Sequence, residues 1–148
     1  MLLSHLVRPV RLSRWPAARL LCTEEVPLDL FHRAADSTLQ GIQAVIEDYA
    51  DEKPAQEIDV ECSGDVLNVG LGARGTFVLN KQTPNLQIWL SSPVSGPLRY
   101  DFRPETVSWY CRRADKGLLA MLADDLETLT GERLSFDDVE LELREAIK

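Results

Sequence analysis

Carboxylates are the residues best placed to do chemistry here, and they crowd one stretch of the 148-residue chain. Asp36, Glu47, Asp48 and Asp51 lie off the apolar stripe of a predicted helix, and Glu52, Glu57, Asp59, Glu61 and Asp65 follow where helix gives way to strand. Glu47 and Asp51 are one turn apart, as are Asp48 and Glu52, and each like-charged pair costs about 0.2–0.5 kcal/mol of helix stability. Clustering them raises the local negative potential, which attracts cations or a basic protein surface. The same residues also read as a solvated acidic face. No inward-facing His or Cys accompanies them, so any metal would be held weakly by surface oxygens rather than in a closed cage.

Groups for covalent chemistry are scarce. Cys22, Cys62 and Cys111 are too isolated for a zinc or redox pair, and Cys62 and Cys111 read as small buried hydrophobes. Beyond the leader described next, His32 is the one histidine, and nothing like a nucleophile elbow precedes it. No organic cofactor is implied.

Residues 1–22 carry Arg8, Arg11, Arg14 and Arg19 and no acid; the first carboxylate is Glu24. An Arg-rich, acid-free leader reads as a mitochondrial transit peptide, with cleavage expected between Leu20 and Val26 and one domain over residues 23–148. The bland alternative is a basic disordered tail. Without the leader, 12 basic side chains face 24 acidic ones, taking the net charge from −8 to −12. That field repels nucleic-acid phosphates. No apolar run approaches the roughly 20 residues that cross a bilayer, so a membrane role is not expected either.

The elements that must position these groups follow from periodicity. From Asp29 to Asp51, Phe31, Ala34, Ala35, Thr38, Ile42, Val45, Ile46 and Tyr49 recur at helical spacing, with Asp29 as the expected N-cap and Pro54 as the stop. Between Ile58 and Cys111 short β-branched and aromatic runs alternate with turn residues, predicting strands near 58–61, 66–71, 76–81, 86–91, 98–102 and 107–111. A second helix is predicted over 116–130, ending at Gly131. The tail from Leu134 reads as extended or irregular, with 144–148 equally readable as a helical end. The fold class is therefore α+β: a two-layer sandwich with two helices on one face of a mainly antiparallel sheet of about six strands. Its other face is open to solvent. In the strand through 86–91, Leu86, Ile88 and Leu90 alternate with Gln87, Trp89 and Ser91, so Trp89 belongs on that open face although most tryptophans are largely buried.

The stretch NKQTPNLQIWLSSPVSGPLRYDF, residues 80–102, closely resembles the central signature of the frataxin family, and the likeness extends from the helix around Phe31 to Leu134. The resemblance implies an iron–sulfur assembly factor of the mitochondrial matrix that joins the cysteine desulfurase and scaffold complex, speeds sulfur transfer and binds Fe²⁺ on its acidic ridge. It places the partner-contact motif on Asn80, Gln82, Gln87, Ile88, Trp89, Pro97 and Arg99. It assigns iron to Asp36, Glu47, Asp48, Asp51, Glu57 and Asp59, and a monomer is expected when free. Ferroxidase activity in an iron-storing oligomer is the alternative, and a generic adaptor is a third reading.

The chain departs from the family pattern in places. His32, Gln40, Gln43 and Ala44 stand where acids are common, and the Ala73–Arg74 turn is a residue shorter and lacks a usual aspartate. Leu98 replaces a frequent lysine, and Arg112–Arg113 replace a more polar stretch that often has a histidine.

Overall fold

The computed structural model describes residues 26–148. The expected transit peptide, its cleavage window up to Glu25, and Cys22 lie outside the described residues.

Helix α1 spans Leu28–Glu52 and buries Phe31, Ala34, Ala35, Thr38, Leu39, Gly41, Ile42 and Ile46 on one side. Asp29 is not its N-cap: Pro27 holds that position, and its carbonyl accepts the Phe31 N–H at 2.9 Å. Asp29 lies inside the first turn, where a carboxylate complements the helix dipole, and pairs with Arg33 at 3.1 Å. Pro54 opens a short turn immediately after the helix.

Seven strands follow: β1 Asp59–Ser63, β2 Val66–Gly70, β3 Thr76–Gln82, β4 Gln87–Ser92, β5 Gly96–Arg103, β6 Ser108–Cys111 and β7 Lys116–Gly117. They form one sheet in sequence order, every neighbour antiparallel. The seventh strand is only two residues long, too short to leave a periodic signal. Leu67, Phe77, Leu79, Ile88, Leu90, Leu98, Tyr100, Phe102 and Trp109 bury one face beneath the helices. Fully burying side chains of this size stabilises the fold by about 1.5–3 kcal/mol each.

Helix α2 spans Leu118–Thr130, buries Leu118, Met121, Leu122 and Leu126, and ends at Gly131, whose φ of 79° is the left-handed stop expected. The β2–β3 turn is tied to its C-terminus: Arg74 donates to the Leu129 carbonyl at 3.1 Å and to Gln56 Oε1 at 2.5 Å.

The tail corrects the sequence expectation. Residues Asp137–Ala146 form a third helix, α3, rather than an extended segment. Val139, Leu141 and Leu143 mimic a strand's alternation, but the helix buries Val139 and Leu143, four apart, and leaves Leu141 61% exposed. Gly41 lets α3 pack closely, since a Cβ there would stand only 3.1 Å from Val139 Cγ1. Cys62 is a second correction. It is exposed, because it lies on the edge strand β1, while Cys111 is buried as expected. Among the described residues no helix is long and apolar enough to cross a membrane.

Candidate functional site

The uncovered face is built around a row of residues in register across three strands: Asn80 on β3 faces Trp89 on β4, and Trp89 faces Arg99 on β5. Ile88 and Leu90 are 0% and 1% exposed, so their neighbour Trp89 must point the other way, and it is half-buried there. Leu86 corrects the expected strand start. It occupies the left-handed end of the Thr83–Asn85 turn with φ 52°, and pairing begins only at Gln87 opposite Gln82.

Polar bonds fix the indole. Trp89 Nε1 donates to Gln87 Oε1 at 2.8 Å, and Gln87 Nε2 donates to Asp101 Oδ1, also at 2.8 Å. Arg99 lies over the Trp89 ring, its Cζ 4.5 Å from the centroid. Such a cation–π contact contributes about 0.5–1 kcal/mol at an exposed site. Arg99 makes no ion pair among the described residues. Its guanidinium therefore offers its donors outward while its face is held.

Asn80, Gln82, Gln87, Trp89 and Arg99 thus share one surface with Pro97, which lies opposite Ser91 one row away. Ile88 does not join them. With no exposed area, its side chain belongs to the core, and only its place in the ladder serves the face.

The hairpin that carries Pro97 into Arg99 is clamped from behind. Asp125 of α2, 4% exposed, accepts from Ser92 Oγ at 2.6 Å and from Ser95 Oγ at 2.8 Å. Ser92 Oγ accepts in turn from the Val94 and Ser95 backbone N–H groups, both at 3.1 Å. Gly75, with φ 111°, abuts the same hairpin; a Cβ there would be 2.7 Å from Pro93 Cβ.

The acidic residues are distributed differently. Glu47, Asp48 and Asp51 are exposed on α1, and Glu57 and Asp59 on the turn and strand that follow. Asp36 is taken out of that set, because Lys81 bonds it at 2.6 Å and Asp65 at 2.9 Å. Burial works to lower the Lys81 pKa, and the two carboxylates outweigh it, so the net shift is upward. Among the described residues no three His, Cys, Asp or Glu side chains converge closely enough to hold a metal ion. These carboxylates can offer hard oxygens one or two at a time, not a cage.

The sequence model of the Frataxin-like domain matches residues 24–132. The chain belongs to the frataxin family. It is 45% identical over 102 residues to mitochondrial frataxin of Arabidopsis thaliana, covering 69% of this chain and 54% of that protein. It is 39% identical over 95 residues to the mitochondrial frataxin homolog of Schizosaccharomyces pombe, covering 64% and 60%. The chain thus spans little more than half the length of the curated relatives it matches. In three dimensions it resembles the trimeric frataxin of Saccharomyces cerevisiae, crystallised in a ferrous complex. The TM-score is 0.59 at 36% identity, over 67% of this chain and 87% of that one. The relatives are named mitochondrial, and the chain is a mitochondrial protein.

Within this frataxin-family fold, sequence reasoning missed the groups that hold the face in place: Asp101 opposite Gln87 on β5, and Asp125 with Ser92 and Ser95. A signal existed for two of them. Ser92 continues the inward parity of Ile88 and Leu90, and Asp125 falls between Leu122 and Leu126 on the apolar side of α2. A polar group at an inward position must find a buried partner.

Proposed function

We propose that the chain is an iron–sulfur cluster assembly factor of the mitochondrial matrix that docks by its open sheet face on the cysteine desulfurase and scaffold complex and accelerates sulfur transfer. The observation that carries this is Trp89, a half-buried indole on an uncovered sheet face, fixed by Gln87 and Arg99 in a ready-made orientation. Aromatic and Arg side chains dominate protein docking when they are preorganised, because little rotamer entropy remains to be lost. Flat amides at Asn80, Gln82 and Gln87 suit a partner's backbone and polar loops.

A face of amides, an indole and a guanidinium is suited to act by population shift. By binding one arrangement of the complex more tightly, it favours the arrangement in which a persulfide can reach the scaffold. Arg99 contributes a fixed positive charge beside the scaffold's thiolates.

Iron is bound weakly through the surface carboxylates Glu47, Asp48, Asp51, Glu57 and Asp59, with Asp36 available only when Lys81 releases it. An open set of hard oxygens corresponds to affinity of about micromolar at best, or about −8 kcal/mol. The ferrous complex of the yeast relative supports iron handling. The same carboxylates can meet a basic surface of the desulfurase.

Reconstituted desulfurase and scaffold, assayed for sulfide release with and without the protein, test the docking reading. Stimulation by the wild type and its loss in Trp89→Ala are expected; equal stimulation by both would remove the face from the mechanism. A second reading, an iron-oxidising storage oligomer, is favoured by the trimeric state of that yeast relative. Iron-dependent oxygen consumption by a multimer on size-exclusion chromatography would support it. A monomer without oxygen consumption would exclude it.

A further inference from the structure

Charge is unevenly spread over this molecule. The chain carries a net charge of −8, yet Arg99, Arg103, Arg112 and Arg113 gather at the β5–β6 end of the sheet. None of the four pairs with a carboxylate among the described residues, whereas Lys81, Lys116 and Arg133 each do.

Two of these arginines are held in fixed poses. Arg103 lies over Tyr110, its Cζ 3.6 Å from the ring centroid, and the Tyr110 hydroxyl donates to Asp115. That bond is the main reason the Tyr110 pKa is raised, with burial adding to it and Arg103 opposing it. Stacking occupies the guanidinium's face and leaves free the N–H edge that grips a carboxylate in a fork. Arg113 Nη2 donates to the Pro97 carbonyl at 3.3 Å, which tethers the 112–115 turn beside the start of β5.

The nearby acids offset part of this charge without engaging the guanidinium groups: Asp101, between Arg99 and Arg103, accepts from Gln87, Asp115 accepts from Tyr110, and exposed Glu105 makes no ion pair, so the four arginines keep their N–H edges free and a small positive excess. Arg103 faces Ser108 in the ladder, and Arg112 follows four residues later. At strand rise that separation is about 13 Å.

We infer that this end of the sheet docks an extended acidic segment of a protein partner, with carboxylates about four residues apart engaging Arg103 and the Arg112–Arg113 pair. A short segment fits because the positive area is small and the rest of the surface is negative. A continuous polyanion such as nucleic acid would run off it into repulsion. The inference does not depend on the docking role of Trp89, since Arg103, Arg112 and Arg113 lie outside that motif.

Fluorescence anisotropy on the full chain tests it, using a labelled peptide with glutamates at every fourth position in a Gly/Ser background and its lysine counterpart as control. At about 50 mM salt, where surface charge is weakly screened, saturable binding of the Glu peptide alone is expected. The variant Arg103→Glu/Arg112→Glu/Arg113→Glu should weaken it about tenfold or more with an unchanged circular dichroism spectrum, and Trp89→Ala should leave it intact. Because every variant keeps the leader's arginines, the difference isolates the patch. Equal binding by the triple variant, or equal binding of the lysine peptide, would overturn the inference. So would low-salt self-association in sedimentation that the triple variant abolishes, because the occupant would then be a second copy of the chain.

Discussion

Arg99 stands directly opposite Trp89 across the β4–β5 ladder, its guanidinium carbon 4.5 Å from the indole centroid. Each side chain limits the freedom of the other, so the pair reaches a partner already ordered. The neighbouring bonds from Trp89 to Gln87 and from Gln87 to Asp101 extend that order over two rows of the sheet.

Trp89→Ala should weaken binding to the desulfurase and scaffold complex by about 2 kcal/mol or more, the loss typical of a central aromatic anchor. Thermal stability should change little, because the ring lies outside the core. Isothermal titration beside a melting curve separates the two effects. A large fall in melting temperature would assign the ring to the fold instead.

Asp125 is expected to matter to the face without touching it. Asp125→Ala leaves Ser92 and Ser95 without their acceptor and should cost about 2–4 kcal/mol, by the usual cost of unmade buried bonds to a charged group. Asp125→Asn keeps the shape and one acceptor oxygen, while its NH2 replaces the other acceptor with a donor that Ser95 Oγ can turn to accept, and should cost less. Amide exchange over residues 92–97 should rise in the alanine variant before global unfolding does.

Tyr100 is fully buried, and its hydroxyl has no hydrogen-bond partner among the described residues. Burial first, then Cys111 and Asp125, push its pKa upward. The folded state therefore keeps the proton that the unfolded chain releases near pH 10. This group's contribution is fully present below that pH and is lost as pH rises above it. Tyr100→Phe should be neutral or stabilising by about 1 kcal/mol at pH 7, and should flatten the alkaline fall in stability measured by urea unfolding. A steep alkaline fall unchanged in Tyr100→Phe would show that another group drives it.

Gly41 tests the third helix. Gly41→Ala gains about 1 kcal/mol of helix propensity against a tight contact with Val139, and should come out near neutral. Gly41→Leu overpacks the seam and should cost about 1–3 kcal/mol. Loss of exchange protection confined to α3 would show that the helix has lifted. Unchanged stability in Gly41→Leu would mean the seam can open to take the side chain.

Both long helices, the strands β1 to β6 and the two faces of β4 were legible because each rests on a period short enough to read in a few residues. Phe31 to Ile46 repeat at helical spacing, and Ile88 and Leu90 alternate with Gln87 and Trp89. The tail was misread because Val139, Leu141 and Leu143 satisfy a strand's period as well as a helix's, and only docking against Gly41 chooses between them. Cys62 was misplaced because its residue type favours burial but does not reveal that its position lies on an uncovered edge strand.

Local pattern by itself determined the sandwich and the open face, and the resemblance of residues 80–102 pointed to the family. Tertiary structure alone decided that Asp36 is engaged by Lys81, that Asp125 reaches Ser92 and Ser95, and that four arginines at one end of the sheet form no ion pair among the described residues. These pairings join residues on different elements, and their energies depend on distance in space, which sequence separation does not encode.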